Sequence, residues 1–197
     1  MNGYNFTERV RKVLALSREQ AIERGHEYVG GEHILLGLVI EGEGVACAVL
    51  QNMGVDLKEV TPRVDAVITR GKNDPRTLGP DLPYTSRAKT ALELAMASAR
   101  DFEHSYVGTE HLLLGLIREE KGVAAQLLTT MGATYERVSA ETLRLLGTDA
   151  PPVRARDMHT DIESITVTIR KKDGSVETHE SQSLAMAMAF LHKQVRG

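Results

Sequence analysis

The chain has 197 residues, with 42% apolar and 26% charged side chains, the balance of a water-soluble globular protein. Its 24 Lys and Arg against 27 Asp and Glu give a net charge of -3, and with 4% aromatics and no Trp it lacks both the cation surplus and the stacking surfaces of a general nucleic-acid binder. No apolar run approaches the ~20 residues of a membrane span, the opening MNGYNFTERVRK has no apolar signal core, and the single Cys47 has no disulfide partner, a combination that predicts a reducing cytoplasm.

In chain order, Thr7 is placed to cap a first helix that carries Val10, Val13, Leu14 and Ala21 near one face and stops at Gly25. Glu32 opens a short second helix with Ile34, Leu35 and Leu38. Gly44 separates it from a third helix with Val45, Cys47, Val49 and Leu50, which Gly54 ends. A fourth helix is predicted from about Asp56 to Arg70. The Pro-, Gly- and Asp-rich stretch 71–83 reads as a linker.

The plan then repeats. YVGGEHILLGLVIEGEGVA (28–46) returns as YVGTEHLLLGLIREEKGVA (106–124), and the 78-residue shift holds without a gap from Phe6/Tyr84 to Gly54/Gly132, with 22 of 49 positions identical. That level of identity marks a duplication. The predicted fold is mainly α: a double repeat domain over 1–147 (repeat one 4–70, linker 71–83, repeat two 84–147), made of two pseudo-symmetric four-helix copies. A second link, 148–160, contains Pro151-Pro152. The remainder, 161–197, reads as a small C-terminal ββα unit. Ile165, Val167 and Ile169 alternate with polar residues, Asp173-Gly174 signals a hairpin turn, 175–180 returns as the second strand, and Ser183 caps a helix over 184–194. Leu184, Ala187, Met188 and Leu191 form one stripe of that helix, widened by Met186 and Phe190, which reads as packing surface. A hairpin alone is marginal in water, so the unit needs cover from the helices, a second copy of the chain or another protein.

The paired YVG[GT]EH[IL]LLGL segments, each followed by an acidic turn and GVA, together with FTERVRKVLALSREQA and LPYTSRAKTALELA, resemble the N-terminal domain of the Clp/Hsp100 unfoldases, of the ClpC type. The resemblance covers about 4–147 and leaves the tail out. The P-loop string Gly-x-x-x-x-Gly-Lys-Ser/Thr is absent, since Gly71-Lys72 runs on into Asn73 with no glycine five positions earlier. The chain therefore reads as a non-enzymatic Clp N-domain without the ATPase modules, carrying an added ββα module and needing no cofactor. The resemblance implies recognition within bacterial regulated proteolysis: binding of phosphoarginine-marked or otherwise tagged polypeptides as a ClpC-like adaptor, decoy or modulator. Two other roles also follow from it, an accessory subunit docking on the Clp protease or unfoldase, and a protein that sequesters ClpC-directed cyclic peptide antibiotics. Neither nucleic acid nor membrane is an expected partner; a homodimer through the ββα unit is.

Phosphoarginine joins two opposed chemistries. Its guanidinium suits a carboxylate, and its phosphoryl group suits the N–H donors of a helix start. By resemblance, the site residues are Thr7, Gly31 and Glu32 in copy one and Thr85, Thr109 and Glu110 in copy two. Without a ligand, an acid in the first turn stabilises the helix dipole and a threonine caps, so both readings stand for these positions. Gly31 replaces the motif's threonine and loses a hydroxyl, which predicts the weaker site in copy one. By the same resemblance, Tyr84, Lys89 and Glu93 match a ridge that contacts cyclic peptides, with packing of Tyr84 as the plain alternative. His26, His33, His104 and His111 recur beside glutamates. With His33 adjacent to Glu32 and no Cys pair or HExxH, they read as hydrogen-bonding residues between helices and not as zinc ligands. Cys47, opposite Ala125 of the second copy, reads as a buried, inert thiol.

Overall fold

The computed structural model describes residues 5–147 in full and, in the tail, the backbone of 165–170 and 176–181. The chain divides into two units, Met1–Pro152 and Val153–Gly197. The first is mainly helical, with eight α-helices and a two-stranded parallel sheet among its described residues.

Helix α1 (Glu8–Glu23) starts where the Thr7 hydroxyl accepts the Val10 N–H at 3.3 Å. Helix α5 (Ser86–Asp101) starts the same way, with Thr85 accepting from Ala88 at 3.1 Å. Their buried faces follow helical period, through Val10, Val13, Ser17 and Ala21 in α1 and through Ala88, Ala91, Ala95 and Ala99 in α5. After α1 the chain turns at Gly25 with a φ of +71°, the left-handed region that glycine enters without strain.

Helices α2 (Gly31–Glu41) and α6 (Thr109–Arg118) are the hydrophobic centre. Residues 33–38 of α2 and 109–117 of α6 are all buried. Helix α1 packs on α2 and α5 on α6. Each contact is close because α2 and α6 present a glycine to it. A Cβ on Gly37 would come within 2.5 Å of the Val13 carbonyl oxygen, and one on Gly115 within 2.3 Å of that of Ala91.

Helix α3 (Val45–Asn52) packs across onto α6 and onto α8 (Tyr135–Leu146), while α7 (Val123–Thr130) touches α2 and α4 (Val60–Val67). One continuous core, from Val10 to Val138, therefore draws on both copies. The fourth helix of copy one is shorter than expected, with a 3-10 turn over Leu57–Glu59 before α4 and extended backbone at Ile68. Pro62 explains the break, since its ring opposes the carbonyl four residues back in any α-helix running on from 57. The equivalent residue of α8 is Ala140, and α8 is continuous.

Stretch 71–83 is anchored more firmly than a linker needs to be. Gly71 N–H donates to the Arg24 carbonyl at 2.8 Å, Asn73 Nδ2 donates to that of Gly25 at 3.2 Å, a 3-10 turn covers Pro75–Thr77, and Leu82 is buried. Two short parallel pairings, absent from the sequence reading, then join the copies. Strand β1 (Asn5–Phe6) pairs with β2 (Tyr106–Val107), and Val29 bridges Tyr84.

In the second unit, β3 (Ile165–Arg170) and β4 (Val176–Ser181) form the expected antiparallel hairpin, with Ile165 opposite Ser181 and Arg170 opposite Val176. The predicted helix over 184–194 with its cap Ser183, and the link 148–160, lie outside the described residues. Among the described residues, no single helix is long and apolar enough to cross a membrane.

Candidate ligand-binding site

The parallel pairings decide which residues meet. Phe6 and Tyr84 are equivalent positions, as are Val29 and Val107, so the segment entering the first helix of each copy pairs with the segment entering the second helix of the other. Thr7 N–H donates to the Val107 carbonyl at 3.1 Å and Thr85 N–H to that of Val29 at 3.0 Å. Thr7 is thereby brought to Thr109 and Glu110, and Thr85 to Gly31 and Glu32. The six site residues expected from the sequence gather in two pockets, each drawing its threonine from one copy and its glutamate from the other.

The Thr7–Glu110 pocket encloses about 460 Å³ and gathers the starts of α1, α3 and α6. The Thr85–Glu32 pocket encloses about 360 Å³ and gathers the starts of α2, α5 and α7. A helix start exposes N–H groups with no partner inside the helix and carries partial positive charge. Three starts converging on one pocket, beside a carboxyl group, provide donors for an anion and an acceptor for a cation.

The two carboxyls are held alike but buried differently. Each folds back over the glycine before its helix, occupying the space a Cβ on Gly30 or Gly108 would need. The Glu32 side chain is 21% exposed and that of Glu110 is 4% exposed. Burial pushes the Glu110 carboxyl above the usual carboxylate range, opposed in part by its own backbone and by the Thr109 hydroxyl. Thr109 Oγ1 also accepts the Ala46 N–H at 3.3 Å, so the hydroxyl expected to serve a ligand already caps α3.

Behind the carboxyls run two histidine chains. Gly30 N–H donates to His33 Nδ1 at 2.9 Å, so that nitrogen carries no proton. His33 Nε2 then donates to His26 Nδ1 at 2.8 Å, and His26 Nε2 donates to the Thr69 carbonyl at 2.8 Å. In copy two, Gly108 N–H donates to His111 Nδ1 and His111 Nε2 to His104 Nδ1, both at 2.9 Å. Burial first, and the neighbouring histidine next, pull His33 and His111 down to about 3. These rings fix the loop that presents each glutamate. His104, Glu110 and His111 offer ligand atoms within 4.8 Å of one another, but both His111 nitrogens are already engaged, so the arrangement suits a hydrogen-bonded chain better than a metal.

The ridge residues separate into two kinds. Lys89 and Glu93 are exposed one turn apart on α5. Tyr84 packs against the core with the Arg18 guanidinium 5.2 Å from its ring centre. Cys47 is buried, its Sγ donates to the Leu38 carbonyl at 3.2 Å, and burial raises the thiol to about 11, which leaves it protonated at neutral pH.

Sequence reasoning missed the crossing of the copies, because two-residue strands carry no periodic signal. It also missed the rim charges Glu8 and Arg9 at one pocket and Arg87 and Glu119 at the other. Their presence in a helix first turn or the following loop is the one cue the sequence offers.

Comparison with known proteins agrees with the motifs. The Clp repeat (R) N-terminal domain family model matches residues 5–131 and 83–190, the second match running on into the tail. The chain is 44% identical over 168 residues to the negative regulator of genetic competence ClpC/MecB of Bacillus subtilis, covering 85% of this chain and 20% of that protein. It is 44% identical over 150 residues to chloroplastic ClpC of Pisum sativum, covering 76% of this chain and 16% of that protein. The chain thus spans a fifth or less of the length of these two relatives. Among solved structures, the N-terminal domain of ClpD from Arabidopsis thaliana matches with a TM-score of 0.58 and 24% identity, over 73% of this chain and 95% of that one. The Hsp104 N-terminal domain from Candida albicans matches with a TM-score of 0.60 and 15% identity, over 76% and 99%. With the motif in both copies, the helical fold and the family match in agreement, the chain belongs to the Clp repeat (R) N-terminal domain family.

Proposed function

We propose that this protein is a recognition module of regulated proteolysis that binds phosphoarginine-marked or otherwise tagged polypeptides, acting by binding and not by catalysis, in a reducing cytoplasm. The observation that carries this reading is the pair of pockets in which a carboxyl of one copy faces the threonine-capped helix start of the other. The two halves are read as pseudo-symmetric copies, each contributing half of both sites. The resemblance to ClpC adds that the clients are degradation substrates or adaptors, and that the chain works with ClpC or the Clp protease as adaptor, decoy or modulator. A ClpV N-domain, similar in fold, has been solved in complex with a VipB peptide. The test is fluorescence anisotropy with a labelled peptide in arginine-phosphorylated and unmodified forms. Selective binding of the phosphorylated peptide, lost in a folded Glu32→Ala/Glu110→Ala variant, is the expected result; equal binding of both peptides contradicts it.

A second reading is favoured by the tail. The β3–β4 hairpin is two-stranded, and such a unit needs cover to be stable. In this reading the tail is the assembly element, contacting a second copy or a Clp component. Deleting 157–197 then abolishes self-association or co-purification with Clp while leaving peptide binding intact. The exposed pair Lys89 and Glu93 keeps a cyclic-peptide role open to the same titration, with the antibiotic as ligand.

A further inference from the structure

The two pockets differ in which of their charges are already neutralised. At the Thr7–Glu110 pocket, Arg9 Nη1 lies 2.6 Å from Glu41 Oε1 and 3.1 Å from Glu43 Oε2. Its charge is held within the protein, and Glu8, Glu43 and Glu110 line the same pocket. At the Thr85–Glu32 pocket the equivalent cation is Arg87. It donates from Nη1 to the Lys121 carbonyl and has no carboxylate partner among the described residues. The acids around it have changed as well: Ser86 stands where copy one has Glu8, and Lys121 where it has Glu43.

Space and donors differ in the same direction. The Thr109 side chain fills the corner between α6 and α3, where a Cβ on Gly44 would meet its hydroxyl, and it takes the Ala46 N–H. The corresponding corner at Gly31 is less crowded. A Cβ there would find its nearest neighbours, Leu116 and Ala124, at 3.5 and 3.8 Å, ordinary contact distances, whereas the Thr109 side chain occupies the equivalent place in the other pocket. The Ala124 N–H takes no side-chain partner among the described residues.

The geometry points to a division between the pockets: the Thr85–Glu32 pocket takes the phosphoryl-bearing side chain, with Arg87 as its charge partner and Gly31 as the opening that admits it, while the Thr7–Glu110 pocket does not take a dianion. This rests on the reading of the pockets as phosphoarginine sites. It reverses the expectation that Gly31 weakens its site, because the missing hydroxyl leaves room and donors to the ligand. Glu119, whose carboxylate lies over Gly122 at the rim, sets a negative charge beside the place the phosphoryl group would take.

The experiment is calorimetric titration of the full chain with phosphoarginine, using arginine and inorganic phosphate as controls. One strong site per chain is expected. Arg87→Gln weakens it by about tenfold or more, the scale of one charge-assisted hydrogen bond. Arg87→Lys restores part of the loss, Gly31→Thr weakens binding, and Glu119→Gln strengthens it. Arg9→Gln changes it by less than about threefold, below that same scale. Arg87 is exposed, and circular dichroism verifies that the variants remain folded. Two equal sites, or a larger loss from Arg9→Gln than from Arg87→Gln, overturn the division and leave the phosphoarginine reading standing. No binding to the folded wild-type chain overturns that reading, and the division falls with it.

Discussion

At the scale of single residues, His33 and His111 hold the site most economically and leave a measurable signature. Each is drawn down to about 3 from an ordinary 6.5, so below pH 6.5 the unfolded chain binds protons that the folded chain refuses. The stability they contribute is complete above pH 6.5 and is lost as pH falls towards 3, with a slope of up to about 1.4 kcal/mol per pH unit for each histidine. Glu110, pushed the other way by burial, opposes part of this fall. Urea denaturation at a series of pH values from 7.5 to 4.5 should show a steady decline; a flat profile contradicts the neutral, buried chains. Thr85 is a second residue-scale case. Its hydroxyl accepts from Ala88 with no ligand present, so Thr85→Ala should cost about 1 kcal/mol in the unliganded protein, read from the same denaturation curves. The cap was legible in the sequence. The Thr109 hydroxyl was not, because its acceptor role toward Ala46 depends on a contact spanning 63 residues.

Among elements, the helix pairs α1–α2 and α5–α6 depend on two glycines that helix propensity alone would replace. Alanine gains about 1 kcal/mol over glycine inside a helix. At Gly37 and Gly115 the added methyl would strike backbone oxygen at 2.5 and 2.3 Å, which the neighbouring helix cannot yield without separating. Overpacking of this kind typically costs about 1–3 kcal/mol, so Gly37→Ala and Gly115→Ala should lower the urea midpoint. Gly31→Ala, with its nearest neighbour at 3.5 Å, should leave the midpoint nearly unchanged. Equal effects at all three positions would contradict the close-packing account. Helix order and most boundaries were legible from apolar spacing, caps and the 78-residue repeat. The fourth helix of copy one starts later than the expected Asp56 because Pro62 opposes the carbonyl of Lys58, a steric effect that apolar spacing does not register.

For the whole molecule, the two copies share one core and complete each other's pockets through short parallel pairings. The family and the mainly helical fold were legible because duplication and motif span most of the chain. The composite nature of the pockets was not, since it depends on which copy's entry segment lies beside which, and single-residue bridges leave no pattern. The first unit contains its own core, so a chain lacking 157–197 should keep a cooperative helical melt close to that of the full chain; loss of cooperativity would contradict an independent first unit. That each pocket is shared between the copies is tested most directly by an amide chemical-shift titration of the labelled chain with phosphoarginine. Gly31 and Glu32 of one copy should shift together with Thr85, Ser86 and Arg87 of the other, along one binding curve. Shifts confined to the residues of a single copy, or no shifts at either pocket, would contradict it.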